Sequence, residues 1–147
     1  LDDASDVTAD TVIVLRGYGP KGAPGMPENG NFMPLPPKLN KMGINDFVRI
    51  TDARMSGGCF GTQVLHVAPE SAVGGPLAIV RDGDIIHLDV DNNLIELEIS
   101  DEEIAERLKN FEPKRHDDIK RGFVRNFIDS VTQADEGCDL TYMQYKE

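Results

Sequence analysis

The stretch "IIHLDVDNNLIELEISDEEIAERLKNF" (85–111) passes from strand patterns to a helix pattern without a break. Apolar and polar residues alternate over 85–90 and again over 94–99, which is the period of a strand with one buried face. The Asp-Asn-Asn segment between these two runs predicts a turn. Ser100, with a glutamate three residues later, forms a capping box and predicts that a helix begins there. Strands followed by a helix indicate an α+β domain.

Outward from this stretch, apolar runs and breaker residues predict the remaining elements. Strands are predicted at 11–16, 46–51 and 76–80, helices at 35–43 and 121–133, and a strand or short helix at 62–68. An Asp-Gly turn at 81–84 predicts that the third of these strands joins a meander with the strands at 85–99. Together the patterns predict a single α+β domain over residues 1–147. We expect it to be β-rich and barrel-like or two-layered, with helices at its C-terminal end.

Size and composition narrow the class of protein. The chain has 147 residues, of which 39% are hydrophobic, and this suits a single domain with one core. Its net charge of −11 argues against a nucleic-acid surface, which needs clustered Lys and Arg. No apolar run reaches the length of a membrane span, and no signal-peptide pattern is present. We therefore expect a cytoplasmic domain with no membrane partner. Its acidic start without an initiator methionine suggests a fragment of a longer protein.

The cysteines and histidines form no motif of their own. Cys59 and Cys138 lie far apart and make no CxxC pair, so they predict no zinc site and are expected to be reduced and structural. The three histidines are scattered. His66 lies in a predicted strand, and a histidine there is more often packed than a ligand. Two alternatives stay open for His66, which could line the site or pack beneath it, and packing is favoured.

Two irregular loops are the candidate sites. One is rich in Gly and Pro and runs over 17–30, where it includes Glu28; the other is "DARMSGG" (52–58), which includes Ser56. Each follows a predicted strand, so both are expected at the same end of a sheet, where sites tend to lie. Gly57 and Gly58 are expected to let the backbone approach a ligand and to adopt positive φ.

The residues alone leave both roles open. Ser56 fits a solvated serine in a plain turn as well as a reactive hydroxyl. Glu28 fits a surface acid as well as a ligand for a hard cation such as Mg²⁺. No G-x-S-x-G elbow surrounds the serine, and "GYGPKG" (17–22) lacks the ending of a phosphate loop. The sequence therefore argues against a Ser-His-Asp hydrolase and against a P-loop site.

Four motifs together carry a resemblance to a known family. They are "GPKGAPGMPE" (19–28), "TDARMSGG" (51–58), "HVAPESAVGGPLAIVRDGD" (66–84) and "QADEGCDL" (133–140). In order and approximate spacing, the chain resembles the C-terminal domain of the dihydroxy-acid dehydratase and phosphogluconate dehydratase family. The "DARMSG" form and the "QADEGCDL" tail are more similar to the sugar-acid dehydratases, which act on aldonates. The resemblance implies a swivelling β/β/α domain.

The resemblance also implies chemistry. This family removes water from a 2,3-dihydroxy acid to give a 2-keto-3-deoxy acid. In that chemistry an iron–sulfur cluster acts on the leaving C3 hydroxyl, and Mg²⁺ holds the substrate's carboxylate and C2 oxygen. The position of Ser56 belongs to the serine alkoxide that takes the C2 proton, and the position of Glu28 belongs to a Mg²⁺ ligand. The cluster ligands are expected in an N-terminal domain that is not part of this chain.

The same resemblance sets expectations about partners. The domain is expected to work with its own N-terminal domain, in a homodimer or homotetramer, on a small sugar acid. Alone it is expected to be inactive, because it carries half a site. Two alternatives stay open: a branched-chain dihydroxy-acid dehydratase, and a non-catalytic binding or oligomerisation module.

Overall fold

A computed structural model describes residues 6–29, 36–59 and 61–145. Its strands are β1 (Ile13–Leu15), β2 (Arg49–Thr51), β3 (Gln63–Val64), β4 (Ile86–Asp89) and β5 (Leu94–Leu97). Its α-helices are α1 (Pro37–Lys41), α2 (Asp101–Lys109) and α3 (Phe123–Ser130). Short 3₁₀ helices span Ser71–Val73, Pro76–Ile79 and Ala134–Glu136. The domain is therefore a mixed α/β domain in which helices and turns connect short strands.

The first three strands form a parallel sheet in the order β1-β2-β3. Ile13 pairs with Arg49 along β1 and β2, and Arg49 pairs with Gln63 along β2 and β3. Since parallel strands end at the same edge, the Gly/Pro loop after β1 and the serine loop after β2 leave the sheet side by side. The prediction that both loops lie at one end of a sheet is confirmed.

The barrel-like expectation is not confirmed. Strands β4 and β5 form a separate antiparallel hairpin, in which Ile86 pairs with Leu97. A barrel needs every strand to pair on both sides, and across the described ranges the two sheets do not pair with each other. With strands of only two to four residues, this part of the chain contains two small sheets and no closed barrel.

The strand predicted at 76–80 is wrong, because Pro76–Ile79 is a 3₁₀ helix. Nη1 of Arg16 donates to the carbonyls of Leu77, Ala78 and Val80 at 2.8, 2.9 and 2.8 Å. Carbonyls so close together in sequence converge on one cation only where the backbone turns, since in a strand they alternate in direction. The turn at 81–84 does form, but it joins this helix to β4 instead of joining two strands.

The opening stretch folds as predicted. The β4–β5 hairpin turns at 91–93, and Asn93 there has a φ of 53°. Ser100 caps α2 by accepting a hydrogen bond at 3.2 Å from the N–H of Glu103. The side chain of Glu103 binds Arg107 at 2.7 Å, one turn further along. The helix therefore begins where the sequence indicates.

The other predicted helices are also found, over shorter ranges. Helix α1 covers Pro37–Lys41, inside the predicted range 35–43. Residue 35 lies outside the described residues. Helix α3 occupies the middle of the predicted 121–133. The ambiguous run at 62–68 supplies only the two residues of β3.

The core lies between the parallel sheet and the elements packed against it. Its most buried apolar side chains include Leu39, Phe47, Ile50, Leu77, Ile79 and Val131. Two carboxylates, Asp52 and Glu70, are as buried as these core residues, at 0% and 1% exposure. Among the described residues, no helix is both long and apolar enough to cross a membrane.

Arg107 anchors α2 to the rest of the domain, and we expect its removal to be costly. It donates to both carboxylate oxygens of Asp84 at 2.5 and 3.0 Å, and these two side chains are only 8% and 10% exposed. Arg107→Ala should lower the free energy of unfolding, because it leaves the carboxylate of Asp84 without the guanidinium that binds both of its oxygens. Arg81→Ala is the control, since Arg81 is 60% exposed and should contribute under about 1 kcal/mol. Urea unfolding measures both.

This contribution should depend on pH in a defined direction. The hydrogen bond from Arg107 holds the pKa of Asp84 below its ordinary value of 3.8. A lowered pKa in the folded state stabilises the fold when the carboxylate is charged. The contribution is therefore present above pH 3.8 and is lost as the pH falls through the lower folded-state pKa. An unchanged difference between wild type and Arg107→Ala in strong acid would contradict this origin.

Candidate active site

The two candidate residues, Ser56 and Glu28, meet where the two loops leave the sheet. The backbone N–H of Ser56 donates to Oε1 of Glu28 at 3.0 Å. Glu28 also forms a parallel bridge with Arg54, and the N–H of Asn29 donates to the carbonyl of Arg54 at 3.0 Å. Ser56 and Glu28 are both exposed. The structure thus brings a hydroxyl and a carboxylate, 28 residues apart in sequence, to one solvent-facing position.

The hydroxyl of Ser56 has a local donor. The backbone N–H of Gly58 lies 3.2 Å from its Oγ and donates to it. A hydrogen bond donated to an oxygen favours the charged form of that oxygen. The hydroxyl oxygen of Ser56 therefore accepts a backbone hydrogen bond from its own loop.

The glycines after Ser56 leave space beside it. A Cβ added at Gly57 would meet no atom within 4 Å, and one at Gly58 would meet only Oγ of Ser56, at 3.5 Å. The expectation of positive φ at these glycines is wrong, because neither adopts it. Their contribution is an open approach to the hydroxyl, which matches the expected close approach of a ligand.

Arg54 ties the two loops together on the other side of Glu28. Its Nε donates to the carbonyl of Met26 at 2.5 Å, and Met26 itself is 7% exposed. Because Arg54 is two residues from Ser56 and Met26 is two residues from Glu28, this contact fixes the loops beside the site.

Asp52 holds the start of the Gly/Pro loop. Its Oδ1 accepts the N–H of Tyr18 at 3.0 Å, and its Oδ2 accepts the N–H of Gly17 at 3.1 Å. The same Oδ2 accepts the N–H and the hydroxyl of Ser71 at 2.9 and 2.6 Å. One fully buried carboxylate in the motif at 51–58 therefore binds the motif at 66–84 and the two residues that directly precede the motif at 19–28.

Glu70 holds the next part of that loop. Its Oε1 accepts the N–H of Lys21 at 2.8 Å, and its Oε2 accepts the N–H of Gly22 at 2.7 Å. Gln133 supports this carboxylate by donating from Nε2 to Oε1 at 3.0 Å and by accepting the N–H of Glu70 at 2.7 Å. The fourth motif, "QADEGCDL", thereby reaches the same loop.

Cys138 packs against the loop as well. Its Sγ lies 3.3 Å from Sδ of the buried Met26. Burial, followed by the nearby charges of Glu70 and Asp135, raises the pKa of this thiol above its ordinary value. A thiol in this setting is a packing group, as the sequence analysis expected for Cys138.

His66 departs from its predicted environment. It is exposed, its φ is 56°, and it lies beyond the end of β3. Its N–H donates to the carbonyl of Ala53 at 3.1 Å, so its backbone supports the serine loop. The favoured expectation, that His66 packs beneath the site, is therefore wrong, and whether its ring lines the site stays open.

Sequence reasoning assigned no role to Asp52, Glu70 or Gln133. One signal was available: a loop of glycines and prolines leaves many backbone N–H groups without partners inside the loop, and buried N–H groups need acceptors. Acids placed just after a strand, as Asp52 is, are natural acceptors for a neighbouring loop. That pattern gives the residue type but not its partner.

The described residues do not hold a metal site by themselves. Across 6–29, 36–59 and 61–145, no group of three or more His, Cys, Asp or Glu side chains lies close enough to bind a metal ion. Glu28 fits Mg²⁺ as a single exposed carboxylate ligand, which suits the oxygen preference of that ion. Cys59 and Cys138 do not fit an iron–sulfur cluster, since cluster sites use sets of cysteine thiolates and Cys138 is packed on Met26.

The chain is similar in sequence to a known family of proteins. Residues 1–138 match the family model described as dihydroxy-acid/6-phosphogluconate dehydratase, C-terminal. The chain belongs to this dehydratase family. The family resemblance carried by the four motifs is thereby confirmed, and the structure shows why they occur together: all four contact the Gly/Pro loop or the serine beside it.

Individual relatives fall into two substrate groups. The chain is 52% identical over 147 residues to an L-arabonate dehydratase of Azospirillum brasilense, covering 97% of the chain and 25% of that protein. It is 52% identical over 146 residues to a 6-deoxy-6-sulfo-D-gluconate dehydratase of Pseudomonas putida, covering 99% of the chain and 25% of that protein. A dihydroxy-acid dehydratase of Aquifex aeolicus is 47% identical over 130 residues, covering 88% of the chain and 23% of that protein. The chain thus spans about a quarter of the length of these dehydratases.

Proposed function

We propose that this chain is the C-terminal domain of a hydro-lyase that dehydrates a sugar acid, an aldonate, to a 2-keto-3-deoxy acid. The observation that carries the proposal is the contact between Ser56 and Glu28: the backbone N–H of Ser56 donates to the carboxylate, while the hydroxyl of the same residue accepts the N–H of Gly58. A dehydratase needs a base at C2 and a way to make the C2 proton acidic. In this proposal Ser56 supplies the base, and Glu28 supplies part of what makes the C2 proton acidic.

In the proposed reaction, Ser56 is the base. Its deprotonated Oγ removes the C2 proton, and the electron pair of the C2–H bond forms a C2–C3 double bond as the C3–O bond breaks. The departing hydroxide takes a proton from the newly formed seryl hydroxyl and leaves as water, which restores the alkoxide, and the resulting enol converts to the 2-keto acid. The N–H of Gly58 stabilises the alkoxide before the proton is transferred. The open space over Gly57 admits the substrate to within hydrogen-bond reach of Oγ.

Glu28 prepares the substrate in this scheme. Mg²⁺ bound there would polarise the carboxylate and C2 oxygen of the acid and so make the C2 proton easier to remove. Glu28 is the residue of this chain that would hold it. Because its Oε1 also accepts the N–H of Ser56, the carboxylate sets the distance between the bound acid and the base.

The remaining parts of the site are proposed to come from the rest of the protein. The relatives are about four times as long as this chain, since it covers 25% of each of the first two. We propose that an N-terminal domain supplies the other Mg²⁺ ligands, the iron–sulfur cluster and the opposite wall, within a cytoplasmic homodimer or homotetramer. The described residues offer no ligand set for the cluster.

Two substrate classes are candidates, namely sugar acids and branched-chain dihydroxy acids. Relatives named for L-arabonate and 6-deoxy-6-sulfo-D-gluconate are 52% identical to the chain, and one named for a dihydroxy acid is 47% identical. We favour a sugar acid because of these values and the "DARMSG" and "QADEGCDL" forms. The branched-chain dihydroxy acid is the competing substrate.

A substrate panel on the full-length protein tests the proposal. Purified protein, with Mg²⁺ and kept from oxygen, is offered aldonates of five and six carbons and a branched 2,3-dihydroxy acid, and 2-keto acid formation is followed. We expect turnover of at least one aldonate at a kcat/KM well above that for the branched acid. The reverse preference would replace the substrate class, and no keto acid from any member would reject the hydro-lyase. The 147-residue chain alone should give none.

A further inference from the structure

Asp52 and Glu70 are unusual because they are buried carboxylates without a cationic partner. Both are almost fully buried, and in the described part of the chain neither makes an ion pair. A buried charge is costly unless hydrogen bonds compensate it. Here the compensation comes from N–H groups and one hydroxyl.

Most of those N–H groups belong to one loop. Gly17, Tyr18, Lys21 and Gly22 all direct backbone N–H groups at the two carboxylates, over distances of 2.7–3.1 Å. Hydrogen bonds to an ionised acceptor are roughly twice as strong as neutral ones. The first six residues of the Gly/Pro loop are therefore held by stronger bonds than an ordinary turn provides.

The hold is transmitted along the loop to Glu28. Successive turn hydrogen bonds run from Ala23 to Gly19 at 2.9 Å and from Met26 to Ala23 at 2.8 Å. Met26 is then fixed by Nε of Arg54, two residues before Glu28. A continuous series of contacts thus connects the buried carboxylates to the residue that touches Ser56.

The fit around Glu70 is too close to be incidental. A Cβ added at Gly19 would lie 2.6 Å from both Cβ and Oε2 of Glu70. The loop therefore wraps directly around the carboxylate, and a small shift of Glu70 must move the loop.

We infer that Asp52 and Glu70 are positioning residues: they hold the Gly/Pro loop so that Glu28 stays on the backbone of Ser56. Neither touches the reacting atoms, and each acts through Glu28. The inference about geometry is independent of the reaction, whereas its effect on Mg²⁺ use rests on the proposed function.

The test uses Asp52→Asn and Glu70→Gln in the full-length protein, with two measurements. Each amide side chain has the same shape as the acid but loses the charge and one acceptor. The first measurement is amide hydrogen exchange, resolved at Ser56 and at the four amides within 17–22 that bind the carboxylates, those of Gly17, Tyr18, Lys21 and Gly22. We expect exchange at the Ser56 amide to rise about tenfold, together with that of residues 17–22, because charge-assisted hydrogen bonds are lost. The second is the Mg²⁺ concentration for half-maximal dehydration. It should also rise about tenfold, because Glu28, the proposed Mg²⁺ ligand, is displaced.

Controls separate positioning from general destabilisation. Arg107→Ala destabilises the domain at a different place, so it should leave both the Ser56 amide and the Mg²⁺ requirement as in wild type. If a carboxylate variant does not fold, Ser71→Ala removes one donor to Asp52 and one acceptor for Gly17 while the charge stays, and it should accelerate the same amides to a smaller extent.

The outcomes are distinct. The inference is overturned if residues 17–22 exchange faster while the Ser56 amide stays protected, or if Arg107→Ala raises the Mg²⁺ requirement equally. If the wild-type protein dehydrates nothing, the proposed function fails, and the Ser56 amide still decides whether the two carboxylates position Glu28.

Discussion

Ser56→Ala in the full-length enzyme should reduce kcat about 10³-fold, within the range that general-base catalysis contributes, while aldonate binding stays near wild type. The reason for this separation lies in the contacts of Ser56. Within the described ranges its side chain takes part in one hydrogen bond, accepted from the N–H of Gly58, and its contact with Glu28 is made by its backbone. Alanine therefore removes the base and keeps the loop pairing. Steady-state kinetics and calorimetric binding of the aldonate measure the two effects.

Cys59→Ala is the matched control, three residues along the same loop. The N–H of Cys59 donates to the carbonyl of Ser56 at 3.1 Å, and this contact survives in alanine. We expect near wild-type kcat for this variant. Loss of aldonate binding in Ser56→Ala with an intact fold would assign the serine to substrate positioning, and more than a tenth of the wild-type kcat would remove it as the base.

Glu28→Gln should raise the Mg²⁺ concentration needed for half-maximal activity about 10- to 100-fold, which is what even a partner of a metal ligand costs when it is changed. Glutamine keeps an oxygen that can accept the N–H of Ser56, so the pairing of the loops is retained while the charge is lost. The effect is then on metal affinity and not on folding. Mg²⁺ titration of chelator-treated enzyme measures it, with thermal unfolding as the check on the fold.

Glu98→Gln provides the comparison for loss of one negative charge. Glu98 is exposed at the end of the β4–β5 hairpin, and its N–H donates to the carbonyl of Ile85. This variant should titrate with Mg²⁺ as wild type does. If Glu28→Gln gives the same curve as Glu98→Gln at limiting Mg²⁺, the ligand assignment is wrong.

Local signals in the sequence were sufficient for part of the fold. The alternation at 85–99 and the cap at Ser100 are each complete within a few residues, so the hairpin and α2 could be predicted from them. The shared end of the two loops could also be predicted, because each follows an apolar run. The strand prediction at 76–80 is wrong because the backbone there turns so that its carbonyls accept hydrogen bonds from Arg16, a residue distant in sequence.

The missed parts of the site depend on distant pairs. Asp52 reaches Tyr18 across 34 residues, and Glu70 pairs with Gln133 across 63 residues. No local period marks such a contact, since any acid of that burial has several possible donors. Irregular loops made Ser56 and Glu28 candidates, but only the family resemblance gave them roles, and their mutual hydrogen bond could be seen only in the fold.

The contact between Cys138 and Met26 has a consequence for synthesis on the ribosome. These residues are 112 apart, and Gln133, which supports Glu70, lies near the same end of the chain. Chains emerge N-terminal part first, so Glu28 and Ser56 leave the ribosome long before the residues that complete their surroundings. Until residues 133–138 have emerged, the Gly/Pro loop lacks these two supports. Assembly of the site is thereby delayed until this later segment has been translated.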